Sequence, residues 1–287
     1  MRKKLKKIYL EITNVCNLKC AFCSPTNRPP LFLSREEFCV ILEKIEGQSD
    51  VLYLHVMGEP LLHPQLGEFI TLASGKGFAV YLTTNGTLLQ DKEQELIESS
   101  GLERMHISLQ SLEQFPLEEQ RPRLEKLIAS AQKLVSYNKN LLVNLRLWTG
   151  DQEEFTSRMG SYLEEIFGMS EGEVMQKLLP SKGIFLAPGI ALHLAQSFDW
   201  PDISGPSFGE KGFCMGLRDQ AAILCDGTVV PCCLDKDADI ALGNILSSSS
   251  WEEIMTSPRV RNLYEGFSQR KVVEELCRHC SYRKRFG

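Results

Sequence analysis

Asn14-Val15-Cys16-Asn17-Leu18-Lys19-Cys20-Ala21-Phe22-Cys23 sets three cysteines in a C-x3-C-x2-C loop directly after the first β-rich run of the chain. Such a loop can wrap three thiolates around one iron–sulfur cube, and three ligands for four irons leave one iron open for a substrate or cofactor. The competing reading is zinc, but a tetrahedral structural site wants a fourth ligand, usually from a second pair at similar spacing. No further Cys or His follows until Cys39, which falls inside a helical pattern and reads as a small buried hydrophobe.

At 287 residues and 43% hydrophobic composition, the chain can bury one large core, or one large and one small. Met1 to Lys7 is basic, yet Ile8 to Thr13 is short and contains Glu11, so no signal-peptide core follows. No apolar run reaches the length of a membrane span. Ten cysteines at metal-binding spacings, in a chain without secretory features, point to a reducing, cytoplasmic setting. The net charge of −5 argues against general nucleic-acid binding, although Arg283-Lys284-Arg285 is locally basic.

From residue 5 to about 195, short β-rich runs alternate with helical stretches, the signature of βα units around a parallel sheet. Strands are expected at Lys7–Thr13, Leu52–Met57, Ala79–Thr84, Arg104–Leu109, Leu142–Trp148 and Ile190–Ala195. Six strands make a partial (β/α)6 barrel. Ser34 with Glu37 forms a capping box that opens a helix to Glu46. Further helices are expected at Pro64–Lys76, Asp91–Ser99, Pro122–Tyr137, Asp151–Phe167 and Ser170–Leu179. Phe198 to Gly212, rich in Pro, Gly, Ser and Asp, reads as a linker or substrate-side loop. Beyond it the last 75 residues hold six of the ten cysteines, with short strands around Ala221–Val230 and a helix near Ser250–Ser257. We divide the chain into a barrel, residues 1–205, and a small cysteine-rich α+β domain, residues 206–287.

The cysteine spacing, with aromatic Phe22 before the third cysteine, resembles that of the radical S-adenosylmethionine superfamily. The resemblance implies an open-iron [4Fe–4S] cluster that chelates S-adenosylmethionine (AdoMet) and cleaves it reductively to a 5′-deoxyadenosyl radical. Met57-Gly58-Glu59-Pro60 is similar to the family's Gly-Gly-Glu motif, with Met in place of the first glycine; Gly58 permits close approach and Glu59 can accept from the methionyl amine. Thr84 and Asn85, in Thr83-Thr84-Asn85-Gly86, sit where the family places its third strand end near the methionyl portion. By strand position Ser108 and Arg146 correspond to contacts with the cofactor's ribose and carboxylate; for Arg146 a barrel-mouth salt bridge is the alternative. The five histidines are read as structural.

In the carboxyl-terminal segment, seventeen residues lie between Cys214 and Cys232, and Cys277 and Cys280 form a C-x2-C pair. Four thiolates on loops of one small domain can hold a complete cluster. Asp226-Gly227-Thr228-Val229-Val230-Pro231-Cys232-Cys233, followed by Gly243-Asn244-Ile245, resembles the SPASM/twitch pattern of radical enzymes. With no cysteine after Cys280, one auxiliary [4Fe–4S] cluster is expected. Four-cysteine zinc is the competing occupant. Adjacent Cys232 and Cys233 point apart on a strand and the glycine spacing favours Cys232; whether Cys225 or Cys233 ligates stays open.

The family resemblance implies an enzyme in which a substrate hydrogen atom is removed and the auxiliary cluster accepts an electron, a dehydrogenase-type oxidation with Asp199 or Asp235 as candidate base. Peptide maturation by crosslinking or epimerisation is the alternative, and a zinc-stapled binding protein without catalysis is the reading from another class. The substrate is a small molecule or peptide, and a low-potential donor such as flavodoxin or ferredoxin supplies electrons.

Overall fold

A computed structural model describes residues 4–149 and 153–286. Its frame is one ten-stranded open sheet. Strands β1 (Leu5–Leu10), β2 (Ser49–Tyr53), β3 (Ala79–Thr84), β4 (Leu102–Ser108) and β5 (Leu142–Thr149) are consecutive parallel neighbours. The hairpin β6 (Gly183–Ala187) and β7 (Ile190–Gln196) follows, with β7 parallel to β5 and β6 antiparallel at the far edge. The six expected barrel strands are therefore β1 to β5 and β7. The barrel is partial and does not close: the sheet order runs β10-β9-β8-β1-β2-β3-β4-β5-β7-β6.

Helices α1 (Arg35–Ile45), α2 (Leu66–Gly75), α3 (Leu89–Glu98), α4 (Leu117–Tyr137), α5 (Glu153–Phe167) and α6 (Glu173–Ser181) make up the βα crossovers. The expected capping box opens α1: Ser34 Oγ accepts from Glu37 N at 3.2 Å and Ser34 N donates to Glu37 Oε2 at 3.0 Å. Helix α4 begins five residues before the expected Pro122, which the helix accommodates in its second turn. The expected start of α5, Asp151, lies outside the described residues.

The carboxyl-terminal segment supplies β8 (Gln220–Ile223), β9 (Thr228–Val230), β10 (Gly243–Asn244) and helices α7 (Trp251–Met255), α8 (Pro258–Ser268) and α9 (Glu275–Arg278). Strand β8 lies parallel against β1, with Lys7 opposite Gln220 and Leu10 opposite Ile223. The segment thus continues the barrel sheet on its open side.

Period-two alternation gives the barrel strands two unlike faces. Leu52, Leu54, Val80, Leu82, Met105 and Ile107 are 0% exposed under the helices. On the lumen side Tyr53, Tyr81, His106, Ser108 and Arg146 stay partly exposed. Among the described residues no helix is long and apolar enough to cross a membrane.

Candidate functional site

The cysteine loop leaves the carboxyl end of β1, where parallel-sheet sites gather. Cys16 and Cys23 are exposed and Cys20 is half-buried, and none is in a disulfide. Cys23 N donates to Cys20 O at 3.0 Å, closing a turn that brings the later two thiols together. The thiol of Cys20 is pushed up to about 11 by burial and then by Cys16 and Cys23. Burial likewise raises Cys16 and Cys23. Three close thiols resist ionisation unless a positive centre relieves them, and a coordinating metal does so by deprotonating them outright. This donor set fits an iron–sulfur cluster.

Gly58 is required by its own chain. Its φ is +76°, and a Cβ there would lie 2.4 Å from Thr13 O and 2.9 Å from Val15 O. The glycine therefore lets the β2 loop press against the backbone that enters the cysteine loop, and Glu59 N donates to Val15 O at 2.8 Å. The Glu59 side chain is 1% exposed. Its Oε1 accepts from Leu61 N at 2.9 Å and Thr84 Oγ1 at 2.7 Å, and its Oε2 accepts from Asn85 N at 2.7 Å. Burial raises its pKa to about 7 against the pull of those donors.

Asn85 reaches the cysteine loop itself: Nδ2 donates to Asn17 Oδ1 at 2.9 Å and lies 3.9 Å from Cys16 Sγ. Ser111, buried at 1%, has its hydroxyl 2.7 Å from the carbonyl oxygens of Asn85 and Ser108, fixing the ends of β3 and β4 together. Ser108 and Arg146 are opposite one another in the β4–β5 register. Among the described residues Arg146 forms no ion pair, so the barrel-mouth salt bridge is absent. Phe22 packs edge-on against Trp148 at 4.7 Å, and Trp148, Phe198 and Tyr282 continue an aromatic belt at 6.0 and 5.7 Å.

That belt leads to the second cysteine group. Cys214, Cys232, Cys277 and Cys280 line a single pocket, together with Asp235 and Tyr282. Burial, then the neighbouring thiols, raises Cys232 and Cys277 well above the ordinary thiol range. Cys233 turns the other way, to Tyr9, Tyr53 and Trp200 on the lumen side, and Cys225 lies 3.6 Å from Arg28 Nη1. Among the described residues no three His, Cys, Asp or Glu side chains converge on a single-ion point. A mononuclear zinc would hold its sulfurs about 3.8 Å apart, given Zn–S bonds of about 2.3 Å.

The two base candidates differ in surroundings. Asp235, fully buried, accepts from Asp239 N and Ile240 N at 2.9 Å through separate oxygens, which staples its loop. Asp199 is exposed and makes no hydrogen bond or ion pair among the described residues.

Sequence reasoning missed the clasp behind the first loop. Arg28 donates to Glu11 Oε1 and to Lys236 O, both at 2.7 Å, while Asp237 Oδ1 accepts from Thr26 Oγ1 at 2.7 Å and Asn27 N at 2.8 Å. Glu11 also accepts from Met57 N at 3.0 Å and Cys225 N at 3.1 Å. The one available signal was a glutamate inside an otherwise apolar first strand.

The profile of the radical SAM superfamily matches residues 10–154, and that of the SPASM iron–sulfur cluster-binding domain matches residues 214–281. The chain belongs to the radical SAM superfamily and carries a SPASM-type segment. Membership brings a [4Fe–4S] cluster with AdoMet, and iron–sulfur binding in the carboxyl-terminal segment. Among curated relatives, the tungsten-containing aldehyde ferredoxin oxidoreductase cofactor-modifying protein of Pyrococcus furiosus is 30% identical over 112 residues, 38% of this chain and 32% of that protein. The GTP 3′,8-cyclase of Chlorobaculum tepidum is 29% identical over 135 residues, 45% of this chain and 41% of that protein. The chain thus spans well under half the length of these relatives. BtrN in complex with AdoMet and 2-DOIA superposes with a TM-score of 0.59 at 16% identity, covering 98% of this chain and 94% of that one. Streptococcus suis SuiB bound to precursor peptide SuiA gives 0.64 at 14% identity, over 98% and 72%. At these identities the superpositions establish the fold.

Proposed function

We propose that the chain oxidises a small-molecule substrate by hydrogen-atom abstraction, with a second [4Fe–4S] cluster accepting the electron left behind. The observation that carries this reading is the aromatic belt from Phe22 to Tyr282, which joins the two cysteine groups along the mouth of one polar lumen. Cys16, Cys20 and Cys23 would hold the first cluster, and Cys214, Cys232, Cys277 and Cys280 the second. When bound, the reduced first cluster supplies the electron that splits AdoMet into methionine and the hydrogen-abstracting 5′-deoxyadenosyl radical. The Glu59 carboxylate would accept from the methionyl ammonium, Asn85 would fix the loop beside it, and Ser108 and Arg146 would take the ribose and carboxylate. Phe22 and Trp148 keep water from the reacting atoms. Asp199, whose oxygens have no partner among the described residues, would accept the proton. The division at residues 205 and 206, a cytoplasmic setting and a flavodoxin- or ferredoxin-type donor belong to the same proposal.

A second reading, peptide maturation, is favoured by the solved complex of SuiB with its precursor peptide and by the edge strand β6. Phe185 on that edge is 70% exposed, and an unpaired edge accepts an extended peptide.

Anaerobic iron and sulfide analysis with electron paramagnetic resonance tests the proposal. About eight irons are expected in the reconstituted wild type and about four in the Cys16→Ala/Cys20→Ala/Cys23→Ala variant, with a spectrum perturbed by AdoMet only in the former. About four irons plus zinc in the wild type would make the second group a structural staple and remove the electron acceptor. No iron in either protein would sink the radical reading.

A further inference from the structure

The lumen of a small closed barrel is filled by layers of side chains; here it is open and its layers are polar. Tyr9, Tyr53, Tyr81 and Arg104 are in register across β1 to β4. One layer up, Thr83, His106 and Asn144 are in register, with His55 two residues beyond Tyr53 on the same side. The next layer holds Ser108, Arg146 and His193.

The middle layer is incomplete as it stands. His55 Nδ1, Thr83 Oγ1 and Asn144 Oδ1 are buried without a hydrogen-bond partner. Five such side-chain atoms occur among the described residues, and three of them meet here. A buried polar atom left unpaired costs about 1–3 kcal/mol, so this concentration marks a place that something else completes.

The charge is equally one-sided. No lumen-facing position of the described barrel strands is Asp or Glu, and Glu11, next in line on β1, is consumed by Arg28. Lys7 and Arg104 have no ion pair among the described residues; Lys7 Nζ lies 5.2 Å from the Tyr9 ring centre and the Arg104 guanidinium 5.0 Å from that of Tyr81. The nearby imidazoles add donors and no charge, since burial and then neighbouring cationic groups hold both His55 and His106 down to about 3. Arg146 stands two layers above Arg104, about 13 Å along the strand at 3.3 Å per residue, and is committed to AdoMet in the reading above. The deeper cations are left for the substrate.

We propose that the lumen binds a small hydroxylated anion as substrate, its carboxylate or phosphate toward Arg104 and Lys7 and its hydroxyls on His55, Thr83 and Asn144. The assignment rests on the radical-enzyme reading and narrows it: at this depth a cationic amine would meet two cations without ion pairs and no carboxylate from the barrel strands. Water alone can pair the three orphaned atoms but brings neither cation a counter-charge.

The test is calorimetric titration of reconstituted holoenzyme, with AdoMet saturating and ionic strength fixed, using three probes on one three-carbon frame: glycerol 3-phosphate, glycerate and 3-amino-1,2-propanediol. At least one anion should bind once per chain and the amine should not, and the stronger arm tells phosphate from carboxylate. Arg104→Gln should weaken the anion at least about tenfold, or about 1.4 kcal/mol, while Arg104→Lys retains most of the affinity. Unchanged iron content verifies folding, and Lys7→Gln carries the same expectation should Arg104→Gln not fold. Binding of the amine as tight as that of the anions, no anion binding, or indifference to both substitutions would overturn the inference. Deoxyadenosine formation under dithionite in the same preparation reports the radical reading separately. Its presence without anion binding defeats only the inference, and anion binding without it defeats the radical reading and leaves an anion site.

Discussion

At the scale of single residues, Glu59 shows how a loop glutamate becomes both brace and ligand candidate. Its carboxyl is buried among three donors and its pKa stands at about 7, against 4.5 for the free side chain. Between those values the folded chain holds a proton that the unfolded chain has released. Stability from this group is therefore full below about pH 4.5 and is lost as the pH rises to about 7. At 1.36 kcal/mol per pKa unit the loss is roughly 3 kcal/mol. Thermal unfolding of the cluster-free, reduced protein from pH 5 to 8 should show that decline, and Glu59→Gln should flatten it while lowering the midpoint at pH 5, because its amide nitrogen meets a backbone N–H. Gly58 and Glu59 were legible in the sequence as a motif, but the reason for the glycine was not. Its Cβ would strike Thr13 and Val15, a contact across 43 to 45 positions of chain that no local pattern encodes. The lumen histidines were set aside for the same reason: a period-two pattern says that His55 and His106 share a face with tyrosines, and only register puts His106 in one layer with Thr83 and Asn144.

At the scale of elements, period-two runs between helical stretches located all six barrel strands, and β3 coincides with its expected limits. The hairpin strand β6 was missed although Pro188-Gly189 between two β-rich runs is a turn signal; a single residue separates it from the end of α6, so helix and strand patterns run together. Helix α8 was missed although Ser257-Pro258 is a cap followed by Pro at the first helical position. Beyond Glu11, no local signal predicts the clasp of residues 24–28, because its other partners are some 200 residues away. The clasp gives a clear expectation. Glu11 is 0% exposed and Arg28 is 11% exposed in side-chain terms, so Arg28→Ala strands a buried carboxylate and should cost about 3–5 kcal/mol. Denaturant unfolding measures this, and the paired change Arg28→Met with Glu11→Gln should recover only part of the loss, because it removes the stranded charge but sets an amide nitrogen against Met57 N or Cys225 N. The single variant should also release iron faster on chelation, since the loop following Cys23 has lost its anchor; unchanged iron release would separate the clasp from the cysteine loop.

For the whole molecule, the cysteine groups announce two units in the sequence, yet the sheet makes them one frame. Strand β8, from residues 206–287, takes the place beside β1 that a further barrel strand would occupy, and Glu11 N donates across this seam to Ile223 O at 2.9 Å. Beyond it, Lys236 Nζ donates to Pro25 O at 2.8 Å and Cys225 N donates to the buried Glu11 carboxylate. A fragment of residues 1–205 would lose all of these at once. It would expose the edge of β1, with Ile8 and Leu10 in a strand now unpaired on one side, and an exposed apolar edge recruits other chains. It would also leave Glu11 with one fewer donor, Cys225 N, and Arg28 without the Lys236 carbonyl that holds it. The fragment should therefore run as soluble aggregate in size-exclusion chromatography, melt without a cooperative transition, and fail to retain iron after reconstitution. The full chain under the same conditions should be monodisperse and cooperative. A monomeric fragment with a sharp melt and about four bound irons would mean that the seam between β1 and β8 is an interface between two self-sufficient domains, and the boundary at residue 205 would then be a true joint of the molecule.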